Sequence, residues 1–135
     1  MSTLLGFDYG SHKIGIAVGQ TLTQSANPLT TLSCVKNKPD WDGIEKLIKE
    51  WQPDALIVGH PFEMTDKEAN NAEPAKKFAR QLNGRFHLPV HLMDERLTTR
   101  EAWVDLGIEA HKDATKVDAY AAKLILETWL RTHPE

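Results

Sequence analysis

The chain has 135 residues, of which 41% are hydrophobic, and this is enough for one domain with a real core. Sixteen basic and nineteen acidic residues give a formal net charge of −3, which excludes a strongly basic coat but not a local basic patch. The single cysteine, Cys34, excludes an internal disulfide. With neither a signal-peptide pattern nor an apolar stretch near about 18 residues, we expect a soluble, cytoplasmic protein.

Five apolar runs in the sequence predict β-strands. They are Leu4–Tyr9, Lys13–Val18, Pro28–Ser33, Ala55–Val58 and Val90–Met93. The first two runs flank a short turn of Gly10, Ser11 and His12, which is typical of a β-hairpin. The fourth run is short and continuously apolar, as in a strand that is buried on both faces.

Four further segments predict helices. They are Trp41–Trp51, a helix that begins at Pro74 and ends at Gly84, a short helix from Thr98 to about Leu106, and Thr115–Leu130. Proline is accepted in a first helical turn and glycine is typical of a helix end. The order of the elements indicates three antiparallel strands, then parallel strands, with helices over the sheet. We therefore expect one mixed α/β domain over residues 1–135.

Asp8 interrupts the apolar pattern of the first strand. A carboxylate in a buried strand costs several kcal/mol unless its charge is compensated, so a charge partner is expected. Functional groups of such sheets gather where parallel strands end at their carboxyl edge. That edge carries Asp8, Gly59 with His60, and Asp94 with Glu95.

Asp118 lies on the apolar stripe of the last helix, in line with Ala122 and Ile125, so the pattern turns it toward the sheet. A helix cap or a salt bridge would also explain one such acid. Two carboxylates about 4 Å apart repel by roughly 4 kcal/mol at an effective dielectric of 20, and a divalent cation removes that conflict. Oxygen ligands favour Mg²⁺ or Mn²⁺ over zinc. Periodicity alone does not decide whether Asp94 or Glu95 joins Asp8 and Asp118.

Four motifs occur in order along almost the whole chain: FDYGSHKIGIAVG, VGHP, DERLTT and KVDAYAA. Together they resemble the bacterial YqgF-type family of pre-16S rRNA nucleases, also described as Holliday-junction-resolvase-like, with an RNase H-like fold. The resemblance implies a five-stranded mixed sheet flanked by helices and a metal-dependent phosphodiesterase site. Position by position, it implies Asp8, Glu95 and Asp118 as catalytic metal ligands.

Basic and loop residues near these acids are candidate substrate contacts. The motif cations are Lys13, Arg96 and Lys116, and Arg100 extends the patch toward flanking phosphates; a solvated surface or a structural ion pair is the competing interpretation. Gly59 would allow either a turn or a close approach of the backbone to the substrate. His60 would position a water or the leaving group. The family more often has leucine where this chain has His60.

A second group of cations receives a different interpretation. These residues are Lys76, Lys77, Arg80 and Arg85, which follow one predicted helix and its end. We expect an ordinary solvated face there.

The combined prediction is a nuclease that uses Mg²⁺ or Mn²⁺ to process the 5′ end of precursor 16S rRNA in ribosome biogenesis. Two cations about 3.5 to 4 Å apart can activate a water and stabilise the leaving oxygen of a phosphodiester. The alternatives are a Holliday-junction resolvase, which would favour a homodimer over a monomer, and a non-catalytic nucleic-acid-binding module. An actin-like ATPase needs two such domains, which 135 residues do not hold. No membrane partner is expected.

Overall fold

The computed structural model describes residues 2–9, 13–35, 38–60, 66–94 and 114–132, which form a six-stranded sheet with helices on both faces. The strands are β1 Thr3–Tyr9, β2 Lys13–Gln20, β3 Ser25–Val35, β4 Lys38–Pro39, β5 Ala55–His60 and β6 Val90–Asp94. The helices of the described residues are α1 Trp41–Trp51, α2 Asp66–Phe86 and α3 Ala114–Thr132. None of these helices is long and apolar enough to cross a membrane.

The strand order is β4-β3-β2-β1-β5-β6. The pairs from β4 through β1 are antiparallel, and β1–β5 and β5–β6 are parallel. This confirms the predicted mixed sheet, but it has six strands rather than five. The additional strand is Lys38–Pro39, which pairs with Cys34 and Val35. Two residues are too short to give a periodic pattern in the sequence.

The predicted boundaries of α2 are wrong at both ends. The helix begins at Asp66 and contains Pro74 in its interior, where proline removes one backbone hydrogen bond without ending the helix. It also passes through Gly84 and ends at Phe86. The chain turns instead at His87, whose φ is 56° and whose N–H donates to the Asn83 carbonyl at 2.9 Å. The helix predicted from Thr98 to Leu106 lies outside the described residues.

The other two helices match the prediction closely. α1 begins after Asp40, whose carboxylate accepts from the Gly43 N–H at 3.0 Å, and it ends at Trp51 before Pro53. α3 extends the predicted Thr115–Leu130 helix by one residue at its start and two at its end. The periodicity of the sequence therefore predicts most of the helices and strands of the fold.

The two faces of the sheet carry different cores. On one face, α1 and α2 cover large side chains that include Phe7, Ile16, Leu56 and Phe78. On the other face, α3 covers a smaller set: Leu4, Ala17, Ala26, Ile57 and Met93 with Ala122, Ile125, Leu126 and Leu130. The alternation of β1, β2 and β5 assigns successive residues to these two layers.

α3 approaches the sheet closely at two glycines. A Cβ on Gly6 would lie 2.5 Å from Leu126 Cγ, and a Cβ on Gly19 would lie 3.3 Å from Leu126 Cδ1 and 3.4 Å from Leu130 Cδ1. Because Gly19 pairs with Leu4, the contact moves toward the start of β1 as α3 proceeds. The earlier turns of α3 therefore extend toward the carboxyl end of β1.

Replacing Gly6 with alanine should destabilise the fold, because the new methyl group overlaps Leu126. We expect Gly6→Ala to lower the free energy of unfolding by about 1 to 3 kcal/mol in urea denaturation. The matched control is Gly84→Ala, since a Cβ there meets no atom within 4 Å. The free energy of unfolding of this control should rise by about 0.5 to 1 kcal/mol, because alanine reduces the backbone entropy of the unfolded chain. Equal midpoints for Gly6→Ala and wild type would contradict the close contact.

Cys34 gives the fold a pH dependence at alkaline pH. Its side chain is 4% exposed, and burial raises the pKa of the thiol above its ordinary 9.0, while a hydrogen bond from Tyr9 lowers it. The unfolded thiol therefore ionises first, and the free energy of unfolding should fall as the pH rises above about 9. Cys34→Ser removes this contribution because serine does not titrate there. Urea midpoints at pH 7.5 and pH 10 should differ less for Cys34→Ser than for wild type; identical differences would assign the effect to other groups.

Candidate functional site

Asp8 lies near the carboxyl end of β1 and is half-buried. Its register partners are Gly15 on β2 and Gly59 on β5. Residues directly opposite each other share a face of the sheet, so the carboxylate lies between two positions that carry no side chain. Leu4 and Gly6 precede Asp8 in the row that packs under α3. Asp8 therefore belongs to the α3 face, just beyond the packed core.

The strands β1, β5 and β6 end at one common edge of the sheet. Asp8 pairs with Gly59, Gly59 pairs with Met93, and His60 pairs with Asp94. β1 is also the strand at which antiparallel pairing with β2 changes to parallel pairing with β5. Such an edge is where functional groups of α/β sheets collect. The backbone thus brings the predicted Gly59 and His60 into register with the strand ends on either side.

Asp118 and Lys116 lie in the first turns of α3, which begins at Ala114. Asp118 is one helical turn before Ala122, a residue buried against the sheet. Because the contact between Leu126 and Gly6 sets the direction of α3, these first turns extend toward the end of β1 that carries Asp8. The helix backbone therefore brings Asp118 toward the same edge.

Lys13 is the first residue of β2 and its side chain is exposed. It lies two residues from Gly15, the register partner of Asp8, and so on the same face of the hairpin. Such diagonal neighbours are roughly 7 to 8 Å apart between Cα atoms. The flexible four-carbon stem of a lysine is long enough to span that distance.

The remaining predicted site residues are Glu95, Arg96 and Arg100, and all three lie outside the described residues. For His60, Asp94, Lys116 and Asp118 the structure describes the backbone only. The cluster of Asp8, Glu95 and Asp118 therefore stays a prediction.

Gly15 is a neighbour of Asp8 that the sequence reasoning did not identify. Its importance comes from the pairing of β1 with β2, which sets it opposite Asp8. A three-residue turn at Gly10–His12 would pair Asp8 with Ile14, so it is the observed register, in which Tyr9 pairs with Ile14, that sets Gly15 across from Asp8. A larger side chain at this position would occupy the space beside the carboxylate.

Tyr9 follows Asp8 but belongs to the opposite layer. Its ring lies 4.9 Å from that of Phe78, and its hydroxyl hydrogen-bonds Cys34. Burial is the main reason why the pKa of Tyr9 is raised, and the adjacent Cys34 raises it further. The phenol thus stays protonated and is engaged on the opposite face of the sheet from Asp8.

Asp8 fits the role of a ligand for a hard divalent cation. It offers carboxylate oxygens at a half-buried position, with glycine on both neighbouring strands. Mg²⁺ and Mn²⁺ prefer oxygen donors and keep part of their hydration shell, so they need free space beside the ligand. Gly15 and Gly59 place no side chain of their own beside the carboxylate.

Comparison with known proteins gives the family of the chain. The family model described as "RuvX: Holliday junction resolvase" matches residues 2–132. A relative from Pseudomonas aeruginosa strain LESB58 is 50% identical over 135 residues, covering 98% of this chain and 94% of the relative. A relative from Saccharophagus degradans is also 50% identical, covering 98% and 95%. Both carry the provisional name pre-16S rRNA nuclease.

Solved structures show the same fold at low sequence identity. The structure of Thermus thermophilus RuvC in complex with a Holliday junction substrate aligns with a TM-score of 0.57 and 13% identity, covering 98% of this chain and 95% of RuvC. This confirms the predicted RNase H-like architecture, and the relatives confirm the resemblance found in the motifs. The chain therefore belongs to the RuvX/YqgF family, and it has the mixed α/β fold of the RuvC-like resolvases.

Proposed function

We propose that this protein is a divalent-metal-dependent nuclease that processes the 5′ end of precursor 16S rRNA. The observation that carries the proposal is the half-buried Asp8 between Gly15 and Gly59, where β1 and β5 end together. The provisional name of the relatives at 50% identity supports the substrate. An rRNA substrate also agrees with a cytoplasmic protein.

Asp8 supplies the first metal ligand, and Glu95 and Asp118 complete the set. The motif resemblance favours Glu95 over Asp94. Position 94 falls on the opposite face of β6 from Met93, which is buried in the α3 layer. Asp118 enters from the first turns of α3.

Bound Mg²⁺ or Mn²⁺ would supply an activated water and stabilise the leaving oxygen of the phosphodiester. The chain's own contribution is to hold the ligands and orient the substrate strand. Lys13 lies on the face of Asp8 and binds a phosphate oxygen, while Arg96, Lys116 and Arg100 contact flanking phosphates. Gly15 and Gly59 admit the phosphate next to Asp8. His60 at the end of β5 positions a water or the leaving group.

Cleavage of a Holliday junction is the second candidate function, and the description of the matching family model favours it. A junction presents two equivalent strands, so a resolvase needs two active sites related by symmetry. A single copy is sufficient for the cut in precursor rRNA. Oligomeric state therefore separates the two functions.

The experiment compares two substrates on the purified protein. One is an end-labelled RNA that spans the 5′ end of mature 16S rRNA, and the other is a four-way DNA junction. We expect cleavage of the RNA in Mg²⁺ or Mn²⁺ and none in chelator, by a monomer in sedimentation. Metal-dependent cleavage of the junction alone, by a dimer, would establish the second candidate. Failure to cut either substrate would contradict both.

Asp8→Asn should lower metal-dependent cleavage by at least about 100-fold, because one ligand loses its charge while its shape is kept. The control is Asp42→Asn, which removes one exposed carboxylate from the first turn of α1, on the opposite face of the sheet from Asp8. Cleavage is followed under single-turnover conditions. Circular dichroism should show both variants folded. An Asp8→Asn protein with the wild-type rate would remove Asp8 from the metal site.

A further inference from the structure

A second surface feature lies between α2 and the edge strand β6. It is a groove of about 540 Å³ lined by Lys76, Ala79, Arg80, Asn83, Val90 and Leu92. The side chain of Leu92 is 40% exposed, which is unusual for a large apolar residue of this chain. The groove thus combines an apolar floor on the strand with a cationic wall on the helix.

The cations of this wall lack the acidic partners found elsewhere. Residues 74–93 contain four lysines and arginines and no aspartate or glutamate. On α1 and α3, by contrast, Lys49 pairs with Glu45 at 3.2 Å and Lys123 pairs with Glu127 at 3.4 Å. No ion pair within the described part of the chain involves Lys76 or Arg80. Their charge is therefore available to an anionic ligand.

Not every cation of α2 belongs to the groove. The Arg85 guanidinium lies over the Trp41 ring, 4.1 Å from its centroid, and so packs toward α1. Lys77 is exposed but does not line the groove. Lys76 and Arg80 are four residues apart, which places them one above the other at about 6 Å along the helix. This spacing suits successive phosphates of one strand.

The groove leads toward the sheet edge that carries the proposed cleavage site, although it lies on the opposite face of the sheet from Asp8. α2 ends at Phe86 and the chain turns directly into β6, so the helix and the strand run in opposite directions. The Asn83 amide, which donates to the Leu88 carbonyl at 2.9 Å, marks the end near the turn. Lys76 is therefore nearer to the end of β6, where Asp94 pairs with His60.

We propose that this groove binds a single-stranded segment of the RNA substrate that continues from the cleavage site around the edge of the sheet, a proposal that rests on the proposed nuclease function. Lys76 and Arg80 contact two successive phosphates, and the unpaired bases cover Val90 and Leu92. A single strand is favoured over a duplex because a duplex keeps its bases stacked inside and offers only its backbone to the surface. The exposed apolar floor would then have no partner.

The test measures RNA binding in chelator, so that no cleavage occurs. The probe is a fluorescein-labelled oligouridylate of about ten nucleotides, and binding is followed by anisotropy over a range of salt concentrations. The variant Lys76→Gln/Arg80→Gln is compared with Lys46→Gln/Lys77→Gln, which removes the same charge from exposed positions outside the groove. A duplex RNA of the same length is the second probe.

We expect the groove variant to bind the single strand about tenfold more weakly at low salt, and the control variant to change by no more than about twofold. The slope of log K against log salt concentration should become shallower by about 1.4 for the loss of two phosphate contacts. Duplex RNA should bind both variants equally. Leu92→Ser should weaken single-strand binding without changing the salt slope, because it removes an apolar contact only.

Equal losses in the two double variants, an unchanged slope, or a larger effect on duplex RNA would each overturn the groove proposal. The result is independent of the cleavage assay. A protein that shows the expected groove dependence but cuts no RNA would contradict only the nuclease function. A protein that cuts RNA with no dependence on Lys76 and Arg80 would contradict only the groove.

Discussion

The close contact between Leu126 and Gly6 determines where a functional site can form in this fold. It draws α3 onto β1 and fixes the direction of the helix, so that its first turns extend toward the end of the strand. Asp118 lies in those turns, and Asp8 lies at that end of β1. A bulkier residue at position 6 would push the helix away from the strand. The packing of the core and the geometry of the site therefore depend on the same glycine.

The two faces of the sheet divide structural and chemical roles between them. The face under α1 and α2 holds the large aromatic and aliphatic side chains, with Phe7 and Phe78 meeting edge to face at 5.7 Å between ring centroids. The face under α3 is built from smaller residues and ends in the row of Gly15, Asp8 and Gly59. Small residues let α3 approach, and beyond the helix contact Gly15 and Gly59 place no side chain beside the carboxylate. In our account, metal and phosphate bind at this position.

Much of the fold could be predicted from the sequence because its signals are local. The antiparallel pairing of β1 with β2, the helix over Trp41–Trp51 and the apolar stripe of α3 each depend on nearby residues, and each matches the structure. The predicted boundaries of α2 are wrong at both ends because Pro74 and Gly84, which are typical of helix ends, lie inside this helix. The polar run before Pro74 offered no periodicity to correct the error.

The site was only partly predictable, because it depends on register and on charge pairing. Asp8 stood out within its own strand, but the role of Gly15 becomes visible only when β2 is paired with β1. The cations Lys76 and Arg80 looked like an ordinary solvated face, since most lysines and arginines are solvated. The packing of α2 on β6 places these two cations on the wall of a groove. Neither has an acidic partner among the described residues.

The measurement that tests the central claim most directly is the thermal stability of Asp118→Asn in chelator and in Mn²⁺. If Asp118 shares one cation site with Asp8, their repulsion destabilises the metal-free protein, so the variant should melt about 3 °C above wild type in chelator. Mn²⁺ should then raise the melting temperature of wild type more than that of the variant, because a ligand stabilises only the state that binds it. A variant that melts below wild type in chelator and gains as much from Mn²⁺ would show that Asp118 is a structural cap or salt-bridge partner, outside the metal site.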